Sequence, residues 1–103
     1  MKTIYKYPLN TAAEQIIEIP MLYLRDRVAR CSEQVLHVDV QNQVSPCIWC
    51  MVETERGMHR MKVVTKLTGE AFDDDDEANR LQYVGTYLLA NGAFVGHVFV
   101  CEE

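Results

Sequence analysis

The chain is short of basic residues, of glycine and proline, and of long apolar runs, and each shortage removes a class of function. Ten Lys and Arg stand against fifteen Asp and Glu, a formal charge of −5 with a pI near 5.1. A nonspecific nucleic-acid binder usually carries the opposite excess, because neutralising phosphates drives that binding. No apolar run approaches the roughly 20 residues that span a bilayer, so no membrane association is expected. The opening Met1–Pro8 alternates in polarity instead of building a secretory apolar core, and a cytoplasmic location is the expectation. Only five glycines and three prolines interrupt a chain that is 49% hydrophobic, which describes a folded protein and not a disordered one. At 103 residues it has room for a single core, so residues 1–103 are read as one domain.

Catalytic signatures are also missing. The sequence contains no G-x-x-x-x-G-K-[ST] loop, nothing arranged like a Ser/His/Asp triad, and no paired-carboxylate glycosidase pattern. The five tyrosines are spread along the chain instead of being grouped with basic residues as a single-strand stacking platform. The expectation is a binding protein, not an enzyme.

What is present is mostly two-residue alternation, the period of a strand. It runs through residues 2–7, 13–19, 35–40, 58–67, 81–89 and 94–101. Residues 47–52, Cys-Ile-Trp-Cys-Met-Val, are apolar on both faces, as suits a strand covered on both sides. Asn91-Gly92 between two such runs is a strong hairpin signal. Residues 13–19 are expected to pair with 2–7 as a hairpin. Met21, Leu24, Val28 and Cys31 fall at helical spacing after Pro20, which predicts a helix over 20–31. The segment Gln41 to Pro46 reads as a loop, and 69–77 as an acidic loop leading into one helical turn. The sum is an α+β class, β-rich single domain: mostly antiparallel sheet, about seven strands, one short helix.

Two groups carry chemical interest. Cys47 and Cys50 form a C-x-x-C, a spacing that grips one Zn²⁺ where the backbone turns. An extended strand would instead send the two thiols to opposite faces. Cys31, Cys101 and His97 are the candidates for the remaining ligands, and a closed set of four would make the zinc structural and not catalytic. The competing account is that all four cysteines are small buried hydrophobes. Asp73, Asp74, Asp75, Asp76 and Glu77 place five negative charges in a row. They read either as a solvated loop or as an acidic patch that docks on a basic surface. Arg56, His59, Arg60 and Lys62 form a smaller basic cluster able to hold a phosphate, or simply a charged strand edge.

Met1 through Leu9, Val38-Asp39-Val40-Gln41-Asn42, Pro46-Cys47-Ile48-Trp49, Tyr83-Val84-Gly85-Thr86 and His97-Val98-Phe99 resemble a family of short phage-encoded proteins without known function. That family runs more directly from Pro20 to Leu36 and carries Ala where Cys50 stands, so the 21–34 segment and the second thiol are departures. In character the chain is also similar to the zinc-containing anti-CRISPR proteins that inhibit type II effector nucleases. This resemblance implies a phage anti-defence protein in the host cytoplasm. It would bind the RNA-guided nuclease on its basic recognition surface, without direct nucleic-acid contact, and prevent target-DNA loading and cleavage. The alternative is a phage sponge that sequesters a nucleotide second messenger on the 56–62 cluster.

Overall fold

The computed structural model describes residues 1–42 and 45–103. Part of the expected loop at 41–46 therefore lies outside the described residues. Seven strands are seen among those described: β1 (Lys2–Pro8), β2 (Glu14–Pro20), β3 (Val35–Gln41), β4 (Ser45–Glu53), β5 (Met58–Leu67), β6 (Gln82–Leu89) and β7 (Phe94–Glu102). Two short helices, α1 (Cys31–Gln34) and α2 (Asp75–Arg80), and a 3₁₀ turn at Ala90–Gly92 complete the elements. The β-rich expectation holds: strands make up most of the described residues.

The strands form two antiparallel sheets, one in the order β1-β4-β3 and the other β2-β5-β7-β6. Alternation decides which side chains face inward. Val38, Ile48, Cys50 and Val52 of the first sheet and Ile17, Ile19, Met61, Val63, Tyr87, Val98 and Val100 of the second merge into one core. The two sheets draw together where β3 runs beside β6. Gly85 makes that approach possible: a Cβ there would sit 2.8 Å from the Val38 Cβ. A bulge between Tyr83 and Gly85 bends β6 at the same point.

Two expectations about local structure are corrected. β1 and β2 do not pair with each other. β1 lies along β4 and β2 along β5, in different sheets. The connection between them crosses the sandwich, held by Leu9 N donating to Pro46 O at 2.8 Å and Thr65 N donating to Ala13 O at 2.9 Å. Nor is 20–31 a helix. Met21 N donates to Gly57 O, Glu53 N donates to Met21 O, and Ala29 N donates to Leu22 O, so the segment's hydrogen bonds go sideways rather than four residues back. Tyr23 and Val28 form an isolated bridge across a tight turn. The helix begins only at Cys31, where the expected one was to end.

Candidate functional site

The expected zinc ligands are not brought together. β4 is uninterrupted from Ser45 to Glu53, so Cys47 and Cys50, three apart, lie on opposite faces. Cys50 joins Ile48 and Val52 in the core, and Cys31 is buried in the same core. Cys47 lies on the other face, its Sγ 3.7 Å from Ser45 O. That face also carries Trp49, which is only half-buried and packs on His37 with ring centroids 5.6 Å apart. His97 and Cys101 share the outer face of β7, but His97 is engaged by hydroxyls at both nitrogens. Thr68 Oγ1 lies 2.7 Å from Nε2 and Thr86 Oγ1 lies 3.2 Å from Nδ1. Among the described residues no three His, Cys, Asp or Glu side chains gather as a metal site. The donor set does not fit Zn²⁺, and a chelator is expected to leave the melting temperature unchanged. Stoichiometric zinc whose removal lowers that temperature would contradict this geometry.

What does converge is a polar clasp that the sequence did not advertise. Gln34, fully buried at the end of α1, donates through Nε2 to Pro20 O at 2.9 Å and to Met51 O at 3.0 Å. Its Oε1 lies 2.6 Å from His59 Nε2. Because both amide hydrogens point at carbonyls, Oε1 must face the imidazole, and His59 Nε2 must carry the proton. Glu102 Oε1 accepts from Cys31 N at 2.6 Å, tying α1 to β7 as well. One four-residue helix thereby fastens the ends of β2, β4, β5 and β7.

The clasp contains a thiol and an imidazole, with Cys31 Sγ 3.9 Å from His59 Nε2. It does not assemble a nucleophile. Burial pushes the Cys31 thiol up to about 12, and the Glu102 carboxylate adds to the effect. The imidazole nitrogen nearest the sulfur is a donor committed to Gln34, so it cannot take the thiol proton. Cys50 is likewise pushed up to about 12 by burial. Burial lowers His59 below its ordinary 6.5, with Glu102 opposing. Lowering means the unfolded chain binds the proton more readily, so this residue's contribution is present above 6.5 and is lost as pH falls below it. Urea unfolding is expected to show stability dropping between pH 7 and 5, with a shallower drop in His59→Gln. An equal slope in both proteins would exclude His59 as the source.

The acidic run has internal work to do. Asp74 caps α2, its Oδ1 accepting Glu77 N at 2.6 Å. Glu77 is buried, and its carboxylate lies 3.2 Å from Lys66 Nζ. The hydrogen bond from Asp73 N, then Lys66, holds Glu77 below the usual carboxylate range. Lys66 also donates to Ala71 O at 3.2 Å and sits 5.3 Å from the Phe72 ring centre. Of the five acids, Asp74 and Glu77 serve the fold, while Asp73, Asp75 and Asp76 face solvent.

The expected basic cluster is dispersed. His59 turns to Gln34, Arg60 pairs with Glu103 at 3.2 Å, and Lys62 pairs with Glu14 at 3.3 Å. Arg56 alone goes elsewhere, stacking 3.8 Å above the Tyr23 ring.

Among the described residues no helix is long and apolar enough to cross a membrane. No curated protein and no solved structure matches the chain significantly. A family profile matches residues 1–103 from end to end, and the chain belongs to DUF7352, a domain of unknown function.

Proposed function

We propose that this is a non-catalytic binding protein whose acidic helix docks on a basic, nucleic-acid-binding surface of another protein. The specific case is a phage anti-defence protein in the host cytoplasm acting on a type II RNA-guided effector nuclease. Occupying that nuclease's basic recognition surface would keep target DNA from loading, and no bond need be made or broken. The observation that carries the reading is the way α2 is held. Asp74 caps it and the Lys66–Glu77 pair ties it to β5, so Asp75 and Asp76 project from a fixed turn and not from a floppy loop. A pre-ordered charged turn loses less freedom on binding than a loose one, and its charge speeds and orients encounter. A structural zinc forms no part of this proposal.

The test titrates the protein against a purified type II effector with its guide, measuring target-DNA binding and cleavage. Inhibition with an endpoint near one protein per nuclease is expected. Asp75→Lys with Asp76→Lys should raise the amount required about tenfold, and because the two acids sit in the first turn of α2 the charge reversal should also lower the melting temperature, whereas Asp75→Asn with Asp76→Asn should weaken inhibition with a smaller loss of stability. A large excess that alters neither DNA binding nor cleavage by several such effectors would sink the reading.

A further inference from the structure

We infer that the cleft between the turn at Leu24–Arg27 and the β4–β5 turn binds a nucleoside phosphate. The first turn is a closed structure: Leu24 N donates to Arg27 O at 2.8 Å, with the Tyr23–Val28 bridge behind it and Arg25 and Asp26 at its tip. It is bolted to the second by Met21 N donating to Gly57 O at 2.8 Å and Tyr23 N donating to Glu53 Oε1 at 2.9 Å. Between them lies an open cleft of about 370 Å³, lined by Tyr23, Leu24, Arg25, Asp26, Arg27 and Arg56. That volume falls in the range of about 300–1,000 Å³ typical of small-molecule sites.

The lining argues for the ligand class. Three arginines line the cleft in a chain whose net charge is −5. Arg27 is aligned by two 2.7 Å bonds to the Glu33 carboxylate, which use only part of its five-donor fork. Arg25 has no ion-pair partner among the described residues, and Arg56 stands 3.8 Å from Glu53. Arginine forks match phosphate oxygens in pairs, which a lysine cannot do. The Arg56 guanidinium carbon also lies 3.8 Å from the centre of the Tyr23 ring while its side chain is 55% exposed, which offers a cation–aromatic pair for a planar base to join. An anion alone would use the forks and leave this pair idle. Asp26 is the one opposing charge in the lining. The cleft beside Cys101 is a poorer anion site, because Glu77, Glu102 and Glu103 line it against only Lys62 and Arg80.

The inference is independent of the acidic helix and survives failure of the docking proposal. It is tested by titrating the ¹⁵N-labelled protein with ATP, adenosine and inorganic triphosphate in separate experiments. ATP is expected to give saturable amide shifts centred on residues 23–28 and 56, with adenosine and triphosphate each binding about tenfold more weakly. Arg25→Ala should weaken ATP about fivefold and Asp26→Asn should tighten it about threefold, both with unchanged melting temperature, since the two residues sit at an exposed turn tip. The Asp26 effect separates binding from a structural role, which that substitution would not strengthen. Absence of saturable shifts up to about 10 mM ATP would overturn the site. Triphosphate or adenosine binding as tightly as ATP would overturn the ligand class.

Discussion

Gly96→Ala is expected to cost about 3 kcal/mol, equivalent to roughly 15 °C in melting temperature for a domain of this size. The added Cβ would lie 2.5 Å from Tyr87 Cζ and 2.8 Å from Cε1. Tyr87 stands opposite Gly96 in the β6–β7 ladder, and its ring lies across the glycine, stacked near Phe94 at 6.1 Å between centroids. The ring is 1% exposed and cannot swing into solvent, so the backbone of β7 must move instead. Calorimetry on Gly96→Ala, Tyr87→Leu and the double variant makes the test sharp. The pair should be less destabilised than the sum of the singles by at least about 1 kcal/mol, because the leucine vacates the clash. Additive losses, or a tolerated Gly96→Ala, would show that the contact is not what requires glycine. Tyr87→Phe removes only a buried hydroxyl that has no hydrogen-bond partner among the described residues. It should change stability by less than about 1 kcal/mol.

Gln34→Leu should be at least as damaging, at about 3–4 kcal/mol, although leucine nearly matches glutamine in size. The loss comes from what is left behind: Pro20 O, Met51 O and the His59 Nε2 hydrogen all lose their partner together. Gln34→Glu provides the complementary measurement. A carboxylate would face two carbonyl oxygens, so its protonated form is favoured in the folded chain and its pKa is raised. That variant should gain stability as pH falls from 7 toward 5, opposite in sign to the parent. A Gln34→Leu protein that unfolds within about 1 kcal/mol of the parent would mean water replaces the amide.

The strands were legible because alternation is a local property. Every predicted strand is present, and Asn91-Gly92 does sit in the β6–β7 connection. Partnership is a different matter. Residues 2–7 and 13–19 are neighbours in sequence, but nothing in their pattern says that Leu9 dives between the sheets and separates them. The 20–31 stripe misled because Met21, Leu24, Val28 and Cys31 match a helix by spacing, while Gly57 O and Glu53 offer their hydrogen bonds from a distant turn. Gln34 was invisible for a related reason: a glutamine beside Glu33 looks like a surface residue until three separate strands supply its partners. The C-x-x-C showed the opposite failing, a motif whose spacing invites a metal while its backbone, fully extended in β4, withholds the geometry. The acidic run lay between these cases. Its position was plain, but only the structure divides it into two acids that build α2 and three that face outward.

The crossing of the chain between β1 and β2 also bears on how the protein is born. Lys2 pairs with Glu53 and Pro8 with Cys47, Glu14 with Val64 and Pro20 with Met58, so β1 and β2 each meet a partner that lies far along the chain. Such distant pairing makes loop closure, not local propensity, the slow event, and places folding in the millisecond-to-second regime of all-β domains. During synthesis β1 and β2 have no strand to join until β4 and β5 have left the ribosome. For a second or more at each round of translation, Ile17 and Ile19, which the fold buries, stand unshielded in the nascent chain, an interval in which a chaperone or a protease can act.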